Sequence, residues 1–317
     1  MAEIVLVHGI GQEQQGQRSL EALWLPALAD GIAAAGDEQT ADRIWSSNRT
    51  STPGISVRMA AYGDLFRDAD AQGAGGADDA VADDAELAGE IAREWLQRGA
   101  DRGDSATRGV AARELGYLSD DLEPMGAGHE LARKLLVAVA RVPWFASASM
   151  AVAQRVVNSS LAQVTRYLTD PQLNEAIRAR VAAHIGPETR AVIGHSLGSV
   201  VAYEVVAALR PDLPILITLG SPLGLDTIIY QRVKPQPPTC PAGTALWVNV
   251  ADRDDLVAAD PQIATRFPMP ESTHGAFEAG WLEDHSVDNG PSPHSAEFYL
   301  RKAVVGRHLS AVLGDRR

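Results

Sequence analysis

The stretch Ala191-Val192-Ile193-Gly194-His195-Ser196-Leu197-Gly198-Ser199-Val200-Val201-Ala202 restricts the fold more than any other part of the chain. An apolar run ends in Gly-x-Ser-x-Gly and opens at once into small and β-branched residues. That order predicts a strand turning sharply into a helix, with Ser196 at the bend. Gly194 and Gly198 leave space where a Cβ would meet neighbouring chain. Such a bend lifts the serine hydroxyl above the strand end and aims a helix N-terminus at it, where partial positive charge favours a developing oxyanion. The plainer alternative is an ordinary strand-to-helix turn with a capping serine, and deciding between the two requires a second observation.

The second observation lies at the start of the chain. Glu3-Ile4-Val5-Leu6-Val7-His8-Gly9-Ile10-Gly11-Gln12 is a β-branched apolar run ending in His-Gly-x-Gly. The tetrahedral oxyanion of acyl transfer needs two backbone N–H donors, one from the residue after the nucleophile and one from a loop after a neighbouring strand. Leu197 is the first expected donor; Ile10 is the second, with Gly11 as the alternative. Alone, His8 to Gly11 reads equally well as a turn that ends a strand. Combined with the Ser196 turn, the chain resembles the α/β-hydrolase superfamily, particularly its lipase-like and serine-esterase branches, where HG-x-G and GHSLG occur together.

The resemblance implies a triad in the chain order serine, acid, histidine. A strand expected at Thr244–Val250 is followed by Ala251-Asp252-Arg253-Asp254-Asp255-Leu256-Val257. Lipase-like members carry an acid there followed by an apolar residue or proline and then valine, which makes Asp255 the first choice, Asp254 the second and Asp252 the third. At least two of these acids must belong to a solvated turn. The base is expected at His294, delivered by the loop Asn289-Gly290-Pro291-Ser292-Pro293 immediately before an amphipathic helix. His285 is the rival. His308 falls inside the expected last helix, His274 lies in a loop without distinguishing context, and His8 and His195 are assigned structural roles.

Composition limits the alternatives. A formal charge of −13 argues against nucleic-acid binding, which needs basic patches to displace counterions. Cys240 is the single cysteine, set between prolines without a base-like neighbour, so neither an intrachain disulfide nor a thiol nucleophile is expected. No Cys or His spacing suggests zinc, and neither a metal nor an organic cofactor is expected. The chain opens on the required strand with no basic-then-apolar leader, so a cytoplasmic location is expected.

Expected strands near 3–7, 55–62, 189–193, 213–219 and 244–250 alternate with helices near 19–35, 173–185, 197–209 and 295–312. This predicts an α/β fold with a mostly parallel central sheet covered by helices on both faces. Relative to the superfamily, the opening antiparallel strands are missing. The whole chain, 1–317, reads as a single α/β-hydrolase domain with a helical cap or lid insertion over 65–170. That insertion carries a Gly- and Asp-rich loop at 73–79 and an apolar helical hairpin broken at Pro143-Trp144. Charged residues interrupt the hairpin too often for a membrane span. Trp144, Phe145 and Met150 are expected to line an apolar pocket, the alternative being helices that simply pack on the core.

The reading is a serine hydrolase acting on a carboxylic ester, small or lipid-like, with Ser196 as nucleophile, His294 as base, Asp255 as its orienting acid, and Ile10 and Leu197 as oxyanion donors. Acyltransferase, thioesterase and serine peptidase share the same chemistry. A hydrolase fold used for binding alone would be expected to lack one of these parts.

Overall fold

Short apolar runs with no polar alternation form strands only where both faces are covered. Ile4–Val7 (β1) and Ala191–His195 (β3) are buried at every position. The computed structural model describes residues 2–46, 54–67, 85–120, 128–145, 150–225, 229–258, 260–269 and 281–314. Within these, Val57–Met59 (β2), Leu213–Leu219 (β4), Thr244–Asp252 (β5) and Trp281–Val287 (β6) join β1 and β3 in one six-stranded sheet of order β2-β1-β3-β4-β5-β6. Every pairing is parallel.

The chain divides into two compact units, residues 1–64 with 175–317, and residues 65–174. The first contains the sheet. Helices Gln17–Ala34 (α1) and Glu38–Ser46 (α2) close one face together with the C-terminal pair of helices. Leu28, Ile32, Ile44, Leu300 and Leu309 meet Ile4, Leu6, Ile193, Ile217 and Val248 there in a continuous apolar core. Leu197–Leu209 packs against β1, β3 and β4 with Val200, Val201 and Tyr203 buried.

The second unit is helical: Ala85–Arg102 (α3), Ser105–Asp120 (α4), Gly128–Arg141 (α5) and Met150–Thr169 (α6). Its core includes Trp95, Leu135, Val139, Leu161 and Tyr167. A single turn at Pro143–Phe145 follows α5, where proline was expected to break the hairpin. Trp144 and Phe145 pack edge to face at 4.5 Å, and Phe145 stacks on Trp95 at 5.2 Å, whereas Met150 is exposed. Among the described residues, no helix is long and apolar enough to cross a membrane. The loop at 73–79 and His274 lie outside the described residues. Pro171–Ala182 (α7) leads back to the sheet, and Leu197–Leu209 is α8.

Two elements differ from the sequence expectation. The last helix is two helices, Ala296–Leu300 (α9) and Ala303–Leu313 (α10), because Lys302 adopts an extended backbone between them. β6 was not expected at all. It is an edge strand, and its Leu-Glu-Asp-His-Ser sequence lacks the apolar run that buried strands show. The expected strand over 55–62 is confined to Val57–Met59; Ala60 still donates to the Leu6 carbonyl before the chain turns away.

Candidate active site

Parallel strands bring their carboxyl ends to one edge of the sheet, where ligands of open α/β folds bind. Five segments leave that edge in succession: His8 after β1, Ser196 after β3, Gly220 after β4, Asp255 after β5, and the 288–295 loop with His294 after β6.

Ser196 has φ 54° and ψ −132°, a conformation rarely adopted by residues other than glycine. Strain of this kind costs roughly 1–3 kcal/mol and persists only where the surroundings enforce it. They do so here. The Ser196 amide donates to the Leu219 carbonyl at 3.0 Å. Ser199 donates its hydroxyl to the Ser196 carbonyl at 2.5 Å and lies 2.7 Å from the Ser221 hydroxyl, which in turn accepts from the Leu223 amide. Ser196 occupies the N-cap position of α8, yet its side chain makes no capping hydrogen bond, so the capping-serine alternative does not describe it. Close packing explains two of the glycines. A Cβ on Gly9 would come within 2.6 Å of the Ser196 Cβ, and one on Gly198 within 2.2 Å of the His8 carbonyl oxygen. The His8-to-Gly11 loop and the Ser196 turn are therefore in direct contact, and the Leu197 amide opens the helix beneath the serine.

His8 fixes the loop that holds Ile10. Its Nδ1 donates to the Gly9 carbonyl at 2.8 Å, and its Nε2 accepts from the Tyr62 amide at 3.0 Å, which specifies the neutral tautomer. Tyr62 stacks on the imidazole at 4.2 Å and donates its hydroxyl back to the His8 carbonyl. Burial lowers the His8 pKa to about 4. His8 is thus an uncharged structural residue. Sequence reasoning missed Tyr62, since nothing in its surroundings marks a residue that pairs across 54 positions.

Of the three candidate acids, Asp255 meets His294. Its Oδ2 accepts from His294 Nδ1 at 2.7 Å and from the Tyr299 hydroxyl at 2.8 Å. Its Oδ1 accepts from the amides of Val257 and Ala258 at 3.0 and 3.2 Å. The carboxylate is fully buried. Asp254 is exposed. Asp252 is buried and serves the loop: it accepts from the amides of Asp254 and Asn289, and the Asn289 side chain donates to the Pro293 carbonyl at 2.8 Å. Burial raises the Asp252 pKa above the ordinary carboxylate value.

With Nδ1–H committed to Asp255, Nε2 is the ring nitrogen left to act as a base. The ring lies 4.6 Å from that of His195, the residue preceding Ser196, and His195 Nε2 donates to the His294 carbonyl at 3.0 Å. Burial holds the His195 pKa well below the ordinary imidazole value. Gly220 lies against the pair: a Cβ there would sit 2.8 Å from Asp255 Oδ2 and 3.2 Å from His294 Nδ1. The rival base, His285, points into a different cluster with Glu283 and His308. Cys240 is buried, which raises its thiol pKa to about 11.

This arrangement offers a strained serine on a helix N-terminus, an imidazole packed against the preceding residue His195, and a fully hydrogen-bonded carboxylate that orients that imidazole. Tyr299, Ser199 and Ser221 support it through their hydroxyls, Tyr299 at the Asp255 carboxylate and the two serines at the Ser196 turn. Comparison with protein-family models, curated proteins and solved structures finds no match.

Proposed function

We propose that the protein is a serine hydrolase of the α/β-hydrolase type that cleaves a carboxylic ester through an acyl-enzyme on Ser196. The observation that carries this reading is the buried Asp255–His294 hydrogen bond of 2.7 Å, formed on the same sheet edge as the strained Ser196 turn.

In this mechanism Ser196 Oγ attacks the ester carbonyl while His294 Nε2 takes the hydroxyl proton. Asp255 holds the imidazole tautomer and stabilises the imidazolium. The amides of Leu197 and Ile10 receive the negative charge of the tetrahedral intermediate. Its collapse breaks the ester C–O bond, and His294 returns the proton to the departing alcohol. Water, deprotonated by His294, then attacks the acyl-enzyme; the second collapse releases the acid and restores the serine.

A fluorophosphonate probe tests this directly. The protein should be labelled covalently and stoichiometrically, and Ser196→Ala should take up no label. The same variant should lose ester turnover by about 10⁶-fold while keeping its thermal midpoint. Unlabelled wild-type protein, or full hydrolysis by Ser196→Ala, would overturn the proposal. A panel of p-nitrophenyl esters then measures acyl-length preference, and product analysis with added alcohols and amines separates hydrolysis from acyl transfer.

A further inference from the structure

Away from Ser196, the outer strand of the sheet brings three Lewis bases to one point. Glu283 and His285 stand two residues apart on β6, and the strand's period of two sends both side chains to the same face. His308 reaches them from α10. His285 Nε2 lies 3.3 Å from Glu283 Oε2 and 3.3 Å from His308 Nε2, and His308 Nε2 lies 3.7 Å from Glu283 Oε2.

Hydrogen bonding satisfies this triangle poorly. Both 3.3 Å edges use His285 Nε2, a single nitrogen that cannot accept a proton from His308 while donating one to Glu283. If both imidazole nitrogens are protonated, one N–H faces another. A cation between them takes one lone pair from each atom instead. Two of the three separations match a tetrahedral centre, in which bonds of 2.0–2.1 Å set ligand atoms about 3.3–3.4 Å apart, and the third, 3.7 Å, needs only a small side-chain rotation to close. Two imidazoles and one carboxylate form a donor set for a borderline transition metal, whereas calcium and magnesium prefer oxygen alone. The side chains of His308, His285 and Glu283 are 16, 31 and 47% exposed, leaving an approach for the ion and a position for water.

We propose that Glu283, His285 and His308 bind a divalent first-row transition-metal ion, zinc foremost, with water completing the coordination. The ion would clasp the two ends of the segment that carries His294, joining β6 to α10 across the loop between them. Neither Ser196 nor ester chemistry enters this argument. The sequence expectation of no metal rested on the lack of a compact ligand motif; here the histidines are 23 positions apart and meet only through the fold.

The test uses the full chain, stripped with a chelator and titrated with zinc chloride by calorimetry. One ion should bind per chain and raise the melting temperature. Glu283→Gln, His285→Ala and His308→Ala should each weaken binding by at least roughly tenfold. Cobalt(II) should give the intense visible bands of a tetrahedral site in the wild type, a readout independent of any variant's folding. The exposed Glu283 makes its glutamine variant the one least able to disturb the fold. No zinc uptake at about 100 μM by the wild type, a low affinity by the range of biological zinc sites, would overturn the assignment. So would cobalt remaining in its weakly absorbing aqueous form, or a His285→Ala/His308→Ala variant that binds as tightly as the wild type.

Discussion

Tyr299 donates to the same Asp255 oxygen that accepts the hydrogen bond from His294 Nδ1, and its own oxygen accepts from the Asp252 amide at 2.8 Å. Removing its hydroxyl leaves a buried amide without its acceptor and the carboxylate one donor short. Hydrogen bonds to charged groups contribute about 1.5–3 kcal/mol. Tyr299→Phe should therefore lower kcat by roughly 10- to 100-fold with KM little changed, as steady-state kinetics would show. Asp255→Asn should cost about 10⁴-fold by letting the imidazole take the wrong tautomer. At this scale Ser196 and His294 were legible because local sequence marks a strand end and a helix start. Three acids in four positions were not separable, since what distinguishes them is burial and the partners that folding supplies. Asp254 faces solvent, Asp252 holds a loop, and only Asp255 reaches the imidazole.

Among the elements, the 288–295 loop matters most, because its anchoring sets where His294 stands. Asp252 receives the Asn289 amide, and Lys302, at the break between α9 and α10, donates its ammonium to the Asp288 carbonyl. Asp252→Ala should release two amide donors, destabilise the fold by about 1–3 kcal/mol in urea titrations, and lower kcat through a displaced base. The expected continuous C-terminal helix missed this break: the periodicity of 295–312 is unbroken, and the turn at Lys302 carries neither glycine nor proline. Central strands were legible for the reason β6 was not. Burial on both faces writes an apolar run into the sequence, whereas an edge strand can carry Glu283, Asp284 and His285 and still pair along its whole length with β5.

For the whole molecule, two buried histidines with depressed pKa make stability depend on acid pH. His8 has its pKa lowered from 6.5 to about 4 by burial, so between these values the unfolded chain binds the proton that the folded chain refuses. Stability is then complete above pH 6.5 and declines as pH falls toward 4, by about 3 kcal/mol for His8 alone. His195 acts in the same direction. Urea unfolding at pH 7 and pH 4.5 should show the loss, and His8→Gln, less stable at neutral pH, should show a shallower acid dependence. The parallel α/β architecture was legible from the alternation of apolar runs and helices. The division at residues 64 and 174 was visible only as a change of pattern, from strand-bearing to purely helical sequence.

The pairing of Ile4 with Ala191 has a consequence for how the chain is made. β1 leaves the ribosome well before β3, its neighbour on the inner side, which follows only after the helical stretch has been synthesised. At about 5–20 residues per second the wait is roughly 10–40 s. Through that interval the inner edge of a fully apolar strand waits for its partner on a growing polypeptide, so nascent protein should depend on holding chaperones far more than the finished molecule does.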